Sequence, residues 1–356
     1  MTAPAQVTTL AASAQGLITQ SDQNIFLDIV ASIQIFVSIF GVVANIINIK
    51  TFLVMQAFGD GVTLTFLLLS VSDLLVCFHS AVICIGTFLA TQESKWHSQI
   101  IDSETTGHNF PVDPICACIF GLNMFQLFNL FTILLTVFLA VARCLCVMYP
   151  LKFQNIITVR KTLLVSAIFI VTSLGIRLPL ITHGGVSFNF DPRINATRYI
   201  LWMHPNRETI KDMLWISVDA PVCVGAQVVL SVCIIMMAKV LKAASKFRSR
   251  TSIANDSKLD QSNSKQKFSP KDARIVKQLV LVSCIFIFCN TPKLIAFLAT
   301  TVESNFDLGR RYQKFYQVSM AIVVTVDTIN SSANIFVYYF FNSKFRRIWT
   351  NTKSAD

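Results

Sequence analysis

Seven long runs of mostly apolar residues divide the chain, near 27–55, 61–90, 115–147, 160–182, 214–241, 273–300 and 314–341. A hydrocarbon layer about 30 Å thick is crossed by roughly 20 helical residues, so each run is long enough to span it. The third is the clearest, with no charged residue from Cys116 to Ala142. The others hold at most one charge deep in the run: Asp73, Arg177, Lys293 or Asp327. The pattern predicts an all-α membrane protein, a seven-transmembrane helix bundle. An odd number of spans puts the termini on opposite sides.

Composition agrees with a lipid solvent. Of 356 residues, 53% are apolar and 14% charged, where soluble proteins carry about 25% charge. The net charge of +11 would suit a nucleic-acid partner only if the basic residues lined a soluble face. They do not. The first, third and fifth connections and the C-terminal tail, with Lys50 and Arg143, carry 20 Lys/Arg against 5 Asp/Glu; the opposite side carries 8 against 12. By the positive-inside rule the C-terminus is cytoplasmic and the N-terminus extracellular, which points to a multi-pass protein of the plasma membrane. The first basic residue is Lys50, so a charged signal-peptide n-region is missing and the first span is expected to act as signal anchor.

The connections add little chemistry. Asn195-Ala196-Thr197 is a glycosylation sequon on the outer side; the similar triplets at Asn255 and Asn330 fall in an inner loop and inside a span. The inner loop 242–271 is rich in Ser and Lys (Ser245, Ser249, Ser252, Ser264, Ser269) and reads as a mobile linker and kinase target. The outer loop 91–114 holds Trp96, His97 and His108 with nothing beside them to complete a metal site. The ten cysteines show no zinc spacing, and Cys77, Cys233 and Cys284 lie in apolar runs as packing residues.

Polar residues inside the spans are costly enough to invite a functional reading, and here they fall in a recurrent order. The first span has Gly41 and Asn45; the second has Leu69-Ser70-Val71-Ser72-Asp73. The third ends Ala142-Arg143-Cys144, with Cys118 25 residues before Arg143 and Pro150 seven after it. The sixth reads Phe286-Ile287-Phe288-Cys289-Asn290-Thr291-Pro292, the seventh Asn334-Ile335-Phe336-Val337-Tyr338, and Phe345-Arg346 follows. This series resembles the rhodopsin-like (class A) G-protein-coupled receptors across nearly the whole chain. The wording is most similar to chemosensory-type receptors of molluscs and other lophotrochozoans. The resemblance implies an extracellular tail 1–26, a receptor domain 27–341, and a short amphipathic eighth helix with cytoplasmic tail in 342–356.

The resemblance also implies roles. Asn45, Asp73, Thr132, Asn330 and Asn334 match a polar cluster that binds a sodium ion through the carboxylate, here Asp73, and rearranges on activation. Arg143 would be restrained by Asp272 at the inner end of the sixth span and released to a heterotrimeric G protein. Pro292 removes a backbone hydrogen bond and makes a hinge, and Tyr338 completes the switch. Receptor kinases, arrestin and membrane lipid are further partners; nucleic acid is not. By family position, Phe125, Gln126, Asn129, Asn290, Phe297 and Thr328 face a pocket for a small-molecule or peptide ligand. Phe125 stands where amine receptors place an aspartate and Thr328 where opsins place the retinal lysine, which argues against both ligands. Lys293 and Asp327 are expected to pair, either as a structural salt bridge or as a site for a zwitterion or charged metabolite.

Several family features are missing. Ala142 replaces the acidic neighbour of the arginine, which predicts elevated basal activity; Asn290 replaces the tryptophan lever; Ile335 replaces a proline. The second outer loop, about 183–213, has no cysteine to pair with Cys118, leaving Cys84, Cys116 or Cys223 as partners, or a free thiol. The ligand expected is a dissolved chemical cue, with a neuropeptide as the alternative. A transporter would favour an internal repeat and an even division, and an enzyme a GxSxG, HExxH or P-loop pattern; the chain has none of these.

Overall fold

The computed structural model describes residues 20–100, 110–148, 158–191, 195–253, 270–307 and 309–352, over some helical stretches as backbone alone. Among the described residues, seven helices are long and apolar enough to cross a membrane. They are α1 (Gln20–Val54), α2 (Gly61–Ile100), α3 (Pro114–Met148), α4 (Val159–Thr182), α5, α6 (Pro270–Val302) and α7 (Gln313–Phe341). Helix α5 runs through Arg207–Leu214, a π-helical turn Trp215–Asp219, and Ala220–Ile253. A short α8 (Ser343–Thr352) follows α7, and an antiparallel hairpin of β1 (Gly184–Asp191) and β2 (Ala196–Met203) lies between α4 and α5.

The seven spans coincide with the apolar runs. The connections differ. Helix α2 continues to Ile100, so His97 is on a helix; His108 lies outside the described residues. Helix α5 extends to Ile253, well into the stretch expected as a loop, where Lys, Ala, Arg and Leu are strong helix formers. The rest of that loop, 254–269, is outside the described residues.

Burial is the reverse of a soluble protein's. Phe36, Val171, Phe288 and Val302 are exposed, whereas Asn45, Ser70, Asp73, Thr132, Asn290 and Asp327 are buried. Such an arrangement is stable only where the outer solvent is lipid and backbone polar groups are satisfied within helices. Helix α3 is the axis of the bundle: 61% of its most apolar window is buried, against 22% for α1 and α4.

Local sequence sets the joints. Asp60 caps α2, its carboxylate accepting from Thr63 N at 3.0 Å and Thr63 Oγ1 at 2.8 Å, and Thr158 caps α4 through Lys161 N. Gly41 lets α1 approach α2 and α7, since a Cβ there would stand 2.3 Å from Ser332 Oγ and 2.4 Å from Cys77 Sγ. In α8, Phe345 is buried and Arg346 and Arg347 are exposed. Phe345 packs with Tyr338, Phe52 and Phe66 in one aromatic cluster that ties α8 to α1, α2 and α7.

The hairpin is folded with its charged side inward. Val186, Phe188, Phe190 and Tyr199 are exposed, while Asp191 and Arg198 are buried. Arg198 donates through Nη2 to Glu93 of α2 at 3.1 Å, and through Nε and Nη2 to Asp191 at 3.0 and 2.8 Å. Burial opposes the charge on Arg198, but its bonds to Glu93 and Asp191 outweigh this and raise its pKa above the usual arginine value. The backbone of Tyr199 also pairs with Pro111 and Asp113, just before α3. These contacts fix the hairpin where the family's disulfide would. Cys118 is a free thiol, its sulfur 3.3 Å from Thr87 Oγ1, and Cys84 and Cys223 are free as well.

Removing Arg198 would leave two buried carboxylates without their cation, which costs about 3–5 kcal/mol. Arg198→Leu is therefore expected to lower the melting temperature of the purified protein, while dithiothreitol leaves the wild type unchanged. A marked drop on reduction would show that a disulfide carries this joint.

Candidate functional site

Two polar clusters occupy the bundle, one helical turn apart along α3. The first surrounds Asp73, which is fully buried. Asn334 Nδ2 donates to its Oδ2 at 2.7 Å and Thr132 Oγ1 to its Oδ1 at 3.3 Å; Ser72 lies 2.7 Å from Thr132. Asn45 donates to the carbonyls of Gly41 and Ser331, at 2.9 and 3.0 Å, and so ties α1 to α7. Asn330 is half-buried and makes none of these bonds; the carbonyl that α7 offers to Asn45 belongs to its neighbour Ser331. No Lys or Arg among the described residues pairs with Asp73. Its partners are neutral, and the surrounding side-chain oxygens form a hard donor set of the kind that suits a small alkali cation.

The second cluster holds four charges. Lys293 Nζ donates to Asp327 Oδ2 at 3.3 Å, and Asn129 Nδ2 donates to the same oxygen at 2.6 Å. Across from it, Arg177 of α4 forms a two-pronged pair with Asp219 of α5, through Nη1 at 3.1 Å and through Nη2. Arg177 Nη1 also donates to Gln126 of α3 at 3.3 Å. Buried charges are retained only when paired in this way. Gln126, Arg177, Asp219 and Lys293 line one cavity, together with Trp215 and Cys223.

Sequence reasoning found Arg177 but not its partner. Asp219 stands early in the fifth apolar run, where it reads as part of the outer loop. The π-helical turn Trp215–Asp219 belongs to the described backbone of α5 at this point; such turns are frequent at functional sites. The signal available was charge parity: an arginine deep in one span calls for an acid in another.

The remaining expected pocket residues separate. Phe297 is buried, its ring edge-on to Trp215 at 4.4 Å, and Trp215 Nε1 donates to Thr300 at 3.1 Å, so α5 and α6 are joined above the cavity. Phe125 is buried but does not line the cavity. Thr328 turns the other way, its hydroxyl 2.9 Å from Ser80, which also accepts from Gln34 and Ser38 of α1. Asn290 is buried beside Cys223 and donates to the carbonyl of Phe286 at 3.0 Å; Thr291 donates to Ile287 at 2.8 Å. Side chains thus bond to backbone carbonyls in the turn that Pro292 interrupts.

At the far end, Tyr338 has no exposed surface and its ring packs against Phe52 and Phe66 at 5.1 and 5.2 Å. Arg143 stands on the backbone of α3 and Asp272 on that of α6, and both side chains lie outside the described residues. Ala142 is buried. Asn195 is exposed at the start of the hairpin's second strand, in the left-handed conformation (φ 51°) that asparagine tolerates.

Removing either member of the α6–α7 pair alone leaves a buried charge, at a cost of about 3–5 kcal/mol. Lys293→Ala and Asp327→Ala should each lower expression, and Lys293→Asp combined with Asp327→Lys should restore it. Loss of expression in all three would show that the pair does more than balance charge.

Residues 44–338 match the sequence profile of the family described as 7 transmembrane receptor (rhodopsin family). No curated protein sequence matches the chain.

Proposed function

Because the chain belongs to the rhodopsin family of seven-transmembrane receptors, we propose that it converts binding of an extracellular ligand into activation of a heterotrimeric G protein at the plasma membrane. In this reading the hairpin end faces outward, the C-terminus is cytoplasmic, and Asn195 carries a glycan. The supporting observation is the alignment of the two polar clusters. Asn129 and Thr132 stand three residues apart on α3, and Asp327 and Asn334 seven apart on α7, so one face of each helix serves both clusters. A ligand that disturbs Lys293–Asp327 pulls on the helices that hold Asp73, and beyond them on Tyr338 and the Arg143 end.

The cavity is narrow and charged, which favours a small dissolved cue. The exposed apolar face of the hairpin (Val186, Phe188, Phe190 and Tyr199) favours the second reading, a neuropeptide lying across it. Challenge of cells expressing the receptor with fractionated extracts separates the two. A G-protein response that survives protease treatment of the extract supports the small cue; one abolished by protease supports the peptide.

Asp73, Thr132 and Asn334 would hold a sodium ion in the inactive bundle, supplying the positive charge that the carboxylate otherwise lacks. Sodium chloride should then raise the melting temperature of the purified receptor relative to choline chloride, and Asp73→Asn should abolish the difference. An equal response in the variant would rule this site out.

Arg143 is restrained by Asp272 alone, since Ala142 supplies no carboxylate. Asp272→Ala is expected to raise ligand-independent G-protein signalling severalfold at matched surface expression. Unchanged basal signalling would remove the lock.

A further inference from the structure

We infer that the cavity between α3, α4, α5 and α6 takes the carboxylate of a small organic acid, held by Lys293 and Arg177. The inference rests on the receptor reading above and names the ligand's chemistry.

The argument is one of hydrogen-bonding capacity. Lys293 has three N–H donors, and its one bond to Asp327 is 3.3 Å long. Arg177 is 5% exposed, lines the same cavity, and its Nε is buried with no acceptor. A buried guanidinium N–H without a partner is costly, and an incoming oxygen would remove that cost. Gln126 already spends its carbonyl on Arg177, so its free group is the amide, again a donor. The acids offer much less. Both oxygens of Asp219 are engaged by Arg177, and Asp327 lies behind Lys293 and does not line the cavity. What converges on the open space is a set of donors, two of them cationic.

The geometry sets the size of the group. The cavity volume is about 30 Å³, room for roughly two water-sized groups. That fits the two oxygens of one carboxylate, with the rest of the acid lying outside this space. Asp219 and Asp327 hold each cation in position before the ligand arrives, which lowers the cost of ordering the site on binding. A zwitterion would need a free acceptor in the cavity for its ammonium group, and the two acids are already committed.

The test uses the purified full-length receptor in lipid nanodiscs, with thermal unfolding followed as butyrate, butyramide or γ-aminobutyrate is titrated at constant ionic strength. Butyrate should raise the melting temperature saturably, and butyramide should not. In Lys293→Gln with Asp327→Asn, which keeps the site neutral, the apparent affinity for butyrate should fall at least tenfold. Lys293→Arg, which keeps the donors and the charge, should hold it within a few-fold. Equal shifts with butyramide, a shift with γ-aminobutyrate alone, an undiminished butyrate shift in the neutral double variant, or no butyrate shift at all would each overturn the inference. Basal G-protein activation is read on the same preparations. If it persists while butyrate fails, the carboxylate assignment falls and the receptor reading stands; if it is absent, the receptor reading itself is at fault.

Discussion

A charge inside a lipid-facing bundle must find its counter-charge within the bundle, and the arrangement of this protein follows from that constraint. Arg177 and Asp219 join α4 to α5, and Lys293 and Asp327 join α6 to α7. Gln126 and Asn129 of α3 complete the two pairs, so the central helix is bonded to helices on both sides through amides. The same rule operates at the hairpin end, where Arg198 is surrounded by Glu93 and Asp191. Asp73 departs from it, with neutral partners, and that departure is what makes the Asp73 cluster a candidate for a bound cation.

The pairing also explains how a divergent receptor keeps its frame. The loop between α4 and α5 has no cysteine for the disulfide that the resemblance implies, and a buried arginine with two carboxylates holds the joint. The aromatic lever of α6 is replaced by Asn290, which bonds to the backbone one turn back and to Cys223. An amide held in this way is a fixed part of the helix rather than a swinging ring, and the Lys293–Asp327 pair lies beside it. Tyr338, enclosed by Phe52, Phe66 and Phe345, is held by contacts from α1, α2 and α8 together. Asn129 and Thr132 of α3 bond to the Lys293–Asp327 and Asp73–Asn334 groups in turn, and the aromatic cluster follows one turn further along α7 at Tyr338.

The spans were legible in the sequence because hydrocarbon thickness imposes a length and an apolar composition that soluble segments lack. The Asp73–Thr132–Asn334 cluster was legible through the resemblance, whose motifs supply these polar positions. Lys293 and Asp327 could be matched because each is a charge deep in an apolar run. Asp219 could not, since a carboxylate near the end of a run looks like a loop residue until the helix is seen to begin at Arg207. Asn330 was drawn into the cluster by its position on α7, but the bond to Asn45 comes from the backbone of Ser331, which no side-chain pattern reveals. Thr328, placed by family position in the pocket, faces Ser80 because α1 and α2 pack closely there around Gly41. The hairpin was overlooked although Val186, Phe188 and Phe190 alternate with polar residues, because its apolar face is the outward one.

The central claim, that intramembrane charges hold these helices together by mutual dependence, is tested most directly at Arg177 and Asp219. A double-mutant cycle in nanodiscs would compare the stabilities of Arg177→Gln, Asp219→Asn and the double variant with the wild type. The account predicts that each single change is strongly destabilising and that the double variant recovers much of the loss, with a coupling of about 0.5–3 kcal/mol. Single-variant losses that simply add in the double variant would contradict it.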